Sequence, residues 1–152
     1  MSPLLYVDDD DNDLVLLQSA FKRAGIANPL HVATDGEMAI DYLAGAGPFA
    51  DRRQHPLPGL VLLDLKLPKK NGLEVLEWIR SQAACKTLVV IVFTSSPNAS
   101  DIGRAYELGA NSFVIKPPEI QQLTELARRL KTWWLECNQF APPLPVPSPR
   151  AS

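Results

Sequence analysis

Acidic, hydroxyl and basic side chains follow four short apolar runs in this sequence. The four aspartates at positions 8–11 follow the first run, Asp64 the third, Thr94 the fourth and Lys116 the fifth. Several carboxylates that converge without a counter-charge repel one another, so an oxygen-coordinated divalent cation, for which Mg²⁺ is suited, is their natural partner. A hydroxyl and an ammonium opposite such a cation could bind phosphoryl oxygens, which makes Asp64 the candidate nucleophile.

Part of this pattern has a simpler explanation. Acidic residues before a helix often only cap it and complement its dipole, and we assign that role to Asp10, Asp11 and Asp13. Asp64 directly follows a buried apolar run, where an unpaired charge is costly, so capping does not account for it. Lys116 also follows a buried run, and a purely solvated lysine is the weaker interpretation there.

Five apolar runs predict the strands that position these side chains. The runs are 4–7, 30–33, 60–63, 88–93 and 112–115. Between them, apolar residues spaced three and four apart predict amphipathic helices, including a long final helix from Ile120 to Trp134. Continuous Val/Ile/Leu runs that alternate with helices are typical of a parallel sheet covered on both faces, so we predict a doubly wound α/β domain. Functional groups of such folds gather at the carboxyl edge of the sheet.

Length and composition narrow the function classes. The chain has 152 residues and a net charge of −2, which suits one globular domain and argues against a nucleic-acid-binding surface. Cys85 and Cys137 are isolated, as expected of free thiols in a reducing compartment. No apolar stretch approaches membrane-spanning length and no leader is recognisable, so we expect a cytoplasmic protein without a membrane partner.

Two segments fall outside the strand and helix pattern. The segment from Gly45 to Gly59 contains Gly, Pro and charged residues without a clear period and predicts a long surface loop before the third strand. The proline-rich segment 139–152 predicts a disordered C-terminal tail, which leaves residues 1–138 as the folded domain.

Four motifs in register carry a family resemblance. The stretches YVDDDDND, LLDLKLPKKNGLEVL, VFTSS and GANSFVIKPP resemble the receiver domains of response regulators, the CheY-like superfamily, over the range from Leu4 to about Leu135. The resemblance implies a flavodoxin-like (βα)5 fold with five parallel strands in the order 2-1-3-4-5. It also implies a switch that is phosphorylated on an aspartate and catalyses only its own phosphorylation and dephosphorylation.

Carried over by position, the resemblance implies a role for each site residue. The Mg²⁺ ligands would be Asp8, Asp9, Asp64 and the backbone carbonyl of Lys66. Asp64 would accept the phosphoryl group, Thr94 would bind it and Lys116 would supply the counter-charge. Because the four aspartates could slide by one position, Asp10 is the alternative second member of the acidic pair.

The resemblance extends to the parts of the switch beyond the phosphoryl site. Phe113, three residues before Lys116, would be the aromatic residue that swings inward when Thr94 moves; simple core packing is the alternative. Receivers have a cis peptide at the position of Lys116 and Pro117. Lys66 and Ser96 would lie beside the path of the attacking water.

Several partners follow from the resemblance. His31 and His55 are not placed to donate a phosphoryl group, so the donor would be a partner histidine kinase. The loop before the third strand and the long last helix resemble the stand-alone regulators of bacterial phytochrome kinases. Onward transfer to a histidine phosphotransfer protein stays open. Surplus apolar residues of the last helix, among them Leu126, Trp133 and Leu135, indicate a homodimer through that helix.

Two other function classes compete with a phosphorylated switch. A haloacid-dehalogenase-like phosphatase also uses an aspartate after a strand, but it needs a second acid two residues later, where this chain has Lys66. A binding-only pseudo-receiver would lack the acceptor, the acidic pair or the lysine, and all of these are present.

Overall fold

Strands and helices alternate five times along the chain. The computed structural model describes residues 1–95 and 98–141. The strands are β1 (Leu4–Val7), β2 (Leu30–Ala33), β3 (Leu60–Leu63), β4 (Val89–Thr94) and β5 (Ser112–Ile115). The helices are α1 (Asp11–Ala24), α2 (Gly36–Ala44), α3 (Gly72–Ser81), α4 (Ala99–Glu107) and α5 (Ile120–Leu130). Four of the five predicted runs have the bounds of the observed strands, and the fourth, predicted as 88–93, begins and ends one residue later.

The strands form one parallel sheet in the order β2-β1-β3-β4-β5, which confirms the predicted topology. In register, Val7 of β1 pairs with Leu63 of β3, and Leu63 pairs with Val92 of β4. The residues that follow β1 and β3 therefore emerge side by side at the carboxyl edge. From β1 the chain continues to β2 on one side of β1, and it then crosses to β3 on the other side. The winding of the sheet therefore reverses between β1 and β3, at this carboxyl edge.

The sheet separates two hydrophobic clusters. Leu5 and Val7 face a cluster formed with α2 and α3, and Leu4 and Tyr6 face a cluster formed with α1 and α5. All four of these β1 side chains are fully buried. Because both faces are covered, the strands consist of almost continuous apolar residues, which is why they could be recognised in the sequence.

The boundaries of α1 and α2 follow from local capping. The Asp10 side chain accepts hydrogen bonds from the amides of Asn12 at 2.8 Å and Asp13 at 3.2 Å, so Asp10 is the N-cap of α1 as predicted. Gly25 ends the helix in the left-handed conformation with φ 76°, which a residue without Cβ adopts without strain. Asp35 caps α2 in the same way through the Met38 amide at 2.7 Å.

The loop between α2 and β3 is irregular but well bonded. The Arg52 guanidinium donates to the carbonyls of Tyr42 at 2.7 Å and Leu43 at 2.8 Å, in the last turn of α2, where helix carbonyls lack a partner in the next turn. Phe49 and His55 pack their rings against Tyr42 at centroid distances of 5.2 and 5.8 Å. The loop therefore lies against the end of α2, which the lack of sequence periodicity could not reveal.

The predicted last helix does not keep one geometry. After α5 the chain continues as a π-helix over Lys131–Cys137, so the three-and-four spacing does not hold to its end. Trp134 and Leu135 pack against the cluster beneath α5, whereas the Trp133 side chain is 65% exposed. Of the predicted tail, residues 142–152 lie outside the described part of the chain. Within residues 1–95 and 98–141, no helix combines the length and apolarity needed to cross a bilayer.

Gly72 permits the close approach of α3 to the residue that follows β3. A Cβ at Gly72 would lie 2.2 Å from the Asp64 carbonyl oxygen and 2.7 Å from the Leu65 Cα. We expect Gly72→Ala to lower the free energy of unfolding by about 1–3 kcal/mol through this overlap. In Gly103→Ala, a matched change inside α4 with no described neighbour within 4 Å, the free energy should rise by about 0.5–1 kcal/mol. Urea unfolding measures both, and equal effects of the two substitutions would contradict the clash.

Candidate functional site

One lysine ammonium binds three carboxylates at the carboxyl edge of the sheet. The Lys116 Nζ lies 2.6 Å from an oxygen of Asp8, 2.8 Å from one of Asp13 and 2.8 Å from one of Asp64. The Lys116 side chain is 9% exposed. An ammonium has three N–H donors, and here each of them has a carboxylate acceptor. The four residues come from the ends of β1, β3 and β5 and from the first turn of α1.

Backbone hydrogen bonds at the strand ends fix these side chains. The Asp8 amide donates to the Ala33 carbonyl at 3.0 Å, and the Asp64 amide donates to the Val7 carbonyl at 3.0 Å. The Lys116 amide donates to the Thr94 carbonyl at 2.8 Å, which continues the pairing of β5 with β4 by one residue. The site therefore depends directly on the sheet register, and a shift of one strand would separate its members.

Asp8 is the most enclosed carboxylate of the group, with 2% of its surface exposed. Its oxygens accept hydrogen bonds from the Tyr6 hydroxyl, from Lys116 and from the Asp10 amide at 3.0 Å. Burial acts to raise the pKa of Asp8, but these three donors outweigh it and hold the pKa below its ordinary value. Asp8 is therefore ionised at neutral pH.

The pKa values of three neighbouring groups are raised instead. Burial acts to lower the pKa of Lys116, but the hydrogen bonds to Asp13, Asp64 and Asp8 outweigh it and raise the pKa. Burial raises the pKa of the Tyr6 phenol, and its hydrogen bond to Asp8 raises it further. Burial also raises the pKa of Asp13, although Lys116 opposes that change. Lys116 is thus a permanent cation at physiological pH.

The donor set fits a divalent cation. Carboxylate oxygens of Asp8, Asp13 and Asp64 lie within 4.8 Å of one another, and one ammonium offsets only one of their three charges. Hard oxygen ligands with surplus negative charge match the coordination chemistry of Mg²⁺. The described residues thus supply the acidic group that the sequence predicted, with a different membership.

The second member of the predicted acidic pair differs in placement from the first. Asp9 is exposed and is not part of the group of carboxylates, and the alternative, Asp10, caps α1. Asp13, which the sequence indicated as a capping residue, contacts Lys116 instead. The sequence did contain an indication of this contact, because Asp13 lies in the first turn of a helix that begins at the carboxyl edge, three residues after the N-cap. A role of Asp9 as a metal ligand stays a prediction.

Asp64 directly follows β3 and is almost fully buried. Asp64 is 7% exposed and one of its oxygens accepts the Lys66 amide at 3.3 Å. The Lys66 side chain is exposed, and the Gly72 amide closes the turn by donating to the Leu65 carbonyl at 2.9 Å. The predicted part of the Lys66 carbonyl in metal binding stays a prediction.

Thr94 lies on β4, next to β3 in the sheet, and Phe113 lies on β5, next to β4. Thr94 ends β4 and is fully buried. Phe113 is half-buried against the cluster on the side of α2 and α3, and its amide donates to the Tyr106 hydroxyl at 3.1 Å. The half-buried position of Phe113 is compatible both with an aromatic residue that swings inward and with simple core packing. Ser96 lies outside the described residues.

The prediction of a cis peptide between Lys116 and Pro117 was wrong. No described peptide bond is cis, so this bond is trans. The trans isomer is the more stable one for a bond before proline by about 0.5–1 kcal/mol. Lys116 reaches all three carboxylates from the trans backbone, so its inward direction does not need the other isomer.

Comparison with known proteins identifies relatives of this arrangement. The sequence model of the response regulator receiver domain matches residues 4–128. Response regulator Rcp1 of Synechocystis sp. (strain ATCC 27184 / PCC 6803 / Kazusa) is 35% identical over 133 residues, which are 88% of this chain and 88% of that protein.

Solved structures of three such proteins share the fold. The Mn(2+)-bound form of Rcp1 is 32% identical, with a TM-score of 0.83 over 93% of this chain and 100% of that one. The phosphorylated cyanobacterial phytochrome response regulator RcpA is 32% identical, with a TM-score of 0.84 over 91% and 97% of the two chains. The bacteriophytochrome response regulator RtBRR is 41% identical, with a TM-score of 0.74 over 93% and 85%.

The buried phenol of Tyr6 should make stability depend on alkaline pH. Its pKa in the folded protein lies above the ordinary 10.0, so above pH 10 the unfolded chain loses a proton that the folded chain keeps. The free energy of unfolding then falls as pH rises, by about 1.4 kcal/mol per pH unit for this group. In metal-free buffer we expect Tyr6→Phe to have a slope shallower by that amount. Tyr106→Phe, which removes an exposed phenol, is the control; the same slope in Tyr6→Phe as in the wild type would contradict the prediction.

Proposed function

Because the chain belongs to the response regulator receiver domain family, we propose that it is switched by transfer of a phosphoryl group from a partner histidine kinase to Asp64. It is a homologue of the phytochrome response regulators and a receiver domain of two-component signalling. The observation that carries the proposal is the 2.8 Å contact, at the carboxyl edge of the sheet, between the Asp64 carboxylate and the Lys116 ammonium. A nucleophile and a fixed positive charge are thereby placed side by side.

Transfer to Asp64 forms one bond and breaks another. A carboxylate oxygen of Asp64 bonds to phosphorus as the bond between phosphorus and the donor histidine nitrogen breaks, and the nitrogen keeps the electron pair. Lys116, already within 2.8 Å of Asp64, neutralises a phosphoryl oxygen, and the Thr94 hydroxyl binds another. The chain provides the site for its own modification and acts on no external substrate.

Asp8 and Asp64 would hold a divalent cation, which we propose is Mg²⁺, with Asp9 and the Lys66 carbonyl as further ligands. The cation would supply positive charge to the phosphoryl oxygens as charge builds on them. Support comes from the surplus negative charge of the acidic group and from the Mn(2+)-bound form of Rcp1.

The donor histidine belongs to another protein. His31 and His55 pack against the Tyr42 ring, at centroid distances of 5.8 Å each, rather than against the carboxylates. Receiver domains of phytochrome response regulators interact with histidine kinases, and we propose a bacterial phytochrome kinase as the partner in the cytoplasm. A histidine phosphotransfer protein that receives the group from Asp64 is the second partner in this proposal.

A homodimer through the last helix is part of the proposed output. Trp133 is 65% exposed on the π-helical segment, and Ile115 on the edge strand β5 is 47% exposed. Beside them, an apolar cavity of about 190 Å³ between α5 and the sheet is lined by Trp133 and Trp134, among others. Leu126 and Leu135, by contrast, pack against the core, so fewer apolar side chains of the last helix are exposed than the sequence predicted.

Phosphorylation of Asp64 is testable without the kinase. With acetyl phosphate and Mg²⁺, the intact mass of the wild type should rise by one phosphoryl group, because the chain itself supplies the nucleophile and the counter-charge. Asp64→Asn and a chelator should each abolish the gain. Asp41→Asn, an exposed position on α2, should keep it. A gain that persists in Asp64→Asn, or no gain from either acetyl phosphate or a phosphorylated kinase, would contradict the proposal.

Dimerisation through the last helix predicts an effect of charge at Trp133. Trp133→Glu should shift the wild-type dimer to a monomer in sedimentation, because a carboxylate would have to be buried in the interface. Val15→Glu changes a side chain of similar exposure, 60%, on α1 and should leave the dimer intact. A wild type that sediments as a monomer at every concentration, phosphorylated or not, would rule the dimer out.

A further inference from the structure

Asp13 is a contact of Lys116 that the family resemblance does not assign. Its carboxylate lies 2.8 Å from the ammonium, as near as that of Asp64. Among the described residues, Lys116 is the one hydrogen-bonding partner of that carboxylate. Capping does not account for the contact, because the N-cap of α1 is Asp10.

The three carboxylates around Lys116 face different demands when a phosphoryl group arrives. The Asp64 oxygen becomes part of an acyl phosphate, so the N–H that it accepted must pass to a phosphoryl oxygen. Asp8 has Tyr6 and the Asp10 amide as further partners and is a proposed cation ligand. Asp13 alone can keep its contact with the ammonium unchanged throughout the transfer.

We propose that Asp13 is a positioning residue that anchors the Lys116 ammonium from α1 while the phosphoryl group is transferred to Asp64. The inference rests on the proposed function and adds a residue to its machinery. It predicts that the ammonium is held in the resting protein and stays in place when the contacts to Asp64 and Asp8 change.

The first turn of α1 is built to hold such an anchor. The Asp10 side chain accepts the Asp13 amide at 3.2 Å, and the Asp10 amide donates to Asp8 at 3.0 Å. The position of Asp13 is therefore tied to the end of β1. Its side chain is 33% exposed, so solvent screens the ion pair and the expected effect is moderate.

Asp13 could instead be a cation ligand, since its oxygen lies within 4.8 Å of those of Asp8 and Asp64. The two roles differ in what a neutral side chain would change. Loss of an anchor leaves the ammonium held by Asp8 and Asp64 alone with no cation present, and it slows phosphorylation even when cation is saturating. Loss of a ligand weakens cation binding, and excess cation restores the rate.

Three variants separate these roles. Asp13→Asn removes the charge at nearly constant shape, and Asp13→Glu keeps the charge. Asp11→Asn removes an equal charge from an exposed side chain in the same turn. For each, we would measure the ¹H–¹⁵N signal of the Lys116 ammonium without metal, the Mg²⁺ affinity by calorimetry, and the second-order rate constant with acetyl phosphate at saturating Mg²⁺. The free energy of unfolding would show whether a variant is merely less stable.

We expect the Lys116 ammonium signal to exchange with water several-fold faster in Asp13→Asn than in the wild type and Asp11→Asn, because one of its three acceptors is lost while Asp8 and Asp64 remain. The rate constant should fall about fivefold in Asp13→Asn and recover in part in Asp13→Glu. A signal that exchanges no faster in Asp13→Asn than in Asp11→Asn, a rate constant equal to that of Asp11→Asn, or a rate constant restored by excess Mg²⁺ would overturn the inference. If the wild type takes up no phosphoryl group, the proposed function fails, while the Lys116 signal still decides whether Asp13 holds the ammonium.

Discussion

The ammonium of Lys116 is shared by three carboxylates, and the unequal charge of this group governs the carboxyl edge of the sheet. One positive charge in a largely buried position is stabilised by Asp8, Asp13 and Asp64, which raise its pKa. The carboxylates in turn depend on it, because three negative charges this close together repel one another unless a positive charge lies between them. A divalent cation would offset the negative charge that remains. The excess of carboxylates over ammonium groups therefore accounts for both the arrangement of these side chains and the proposed cation binding.

The parallel sheet makes this arrangement possible. Residues 108 positions apart in the chain, Asp8 and Lys116, form a contact because β1, β3, β4 and β5 all end at one edge. Helices cover both faces of the sheet, so the core between them is apolar. The polar side chains of the site lie at the carboxyl edge instead. Gly72 contributes by letting α3 approach Asp64 where a Cβ would overlap its carbonyl oxygen. Packing, register and charge thus act on the same few residues.

Much of this was readable from the sequence, and the failures have physical causes. Continuous apolar runs predicted all five strands, and polar residues at their ends predicted that Asp64 and Lys116 would meet. Asp13 was missed because an acidic residue in a first helical turn already has a local explanation. The cis bond expected after Lys116 came from the family resemblance, whereas the trans bond found there is the local preference before proline. The π-helical end of the last helix was missed because apolar spacing alone does not separate it from an α-helix.

Locating the phosphoryl group on one carboxylate among several tests the account most directly. Borohydride reduces an aspartyl phosphate to homoserine, so fragmentation mass spectrometry of the phosphorylated, reduced wild type would map the modified position. We predict homoserine at position 64 alone, because Asp64 contacts Lys116 and directly follows β3, the position of the acceptor in the receiver domains that this chain resembles. Homoserine at position 8, 9 or 13, or at no position in a protein that had gained mass, would contradict the assignment of Asp64 as the acceptor.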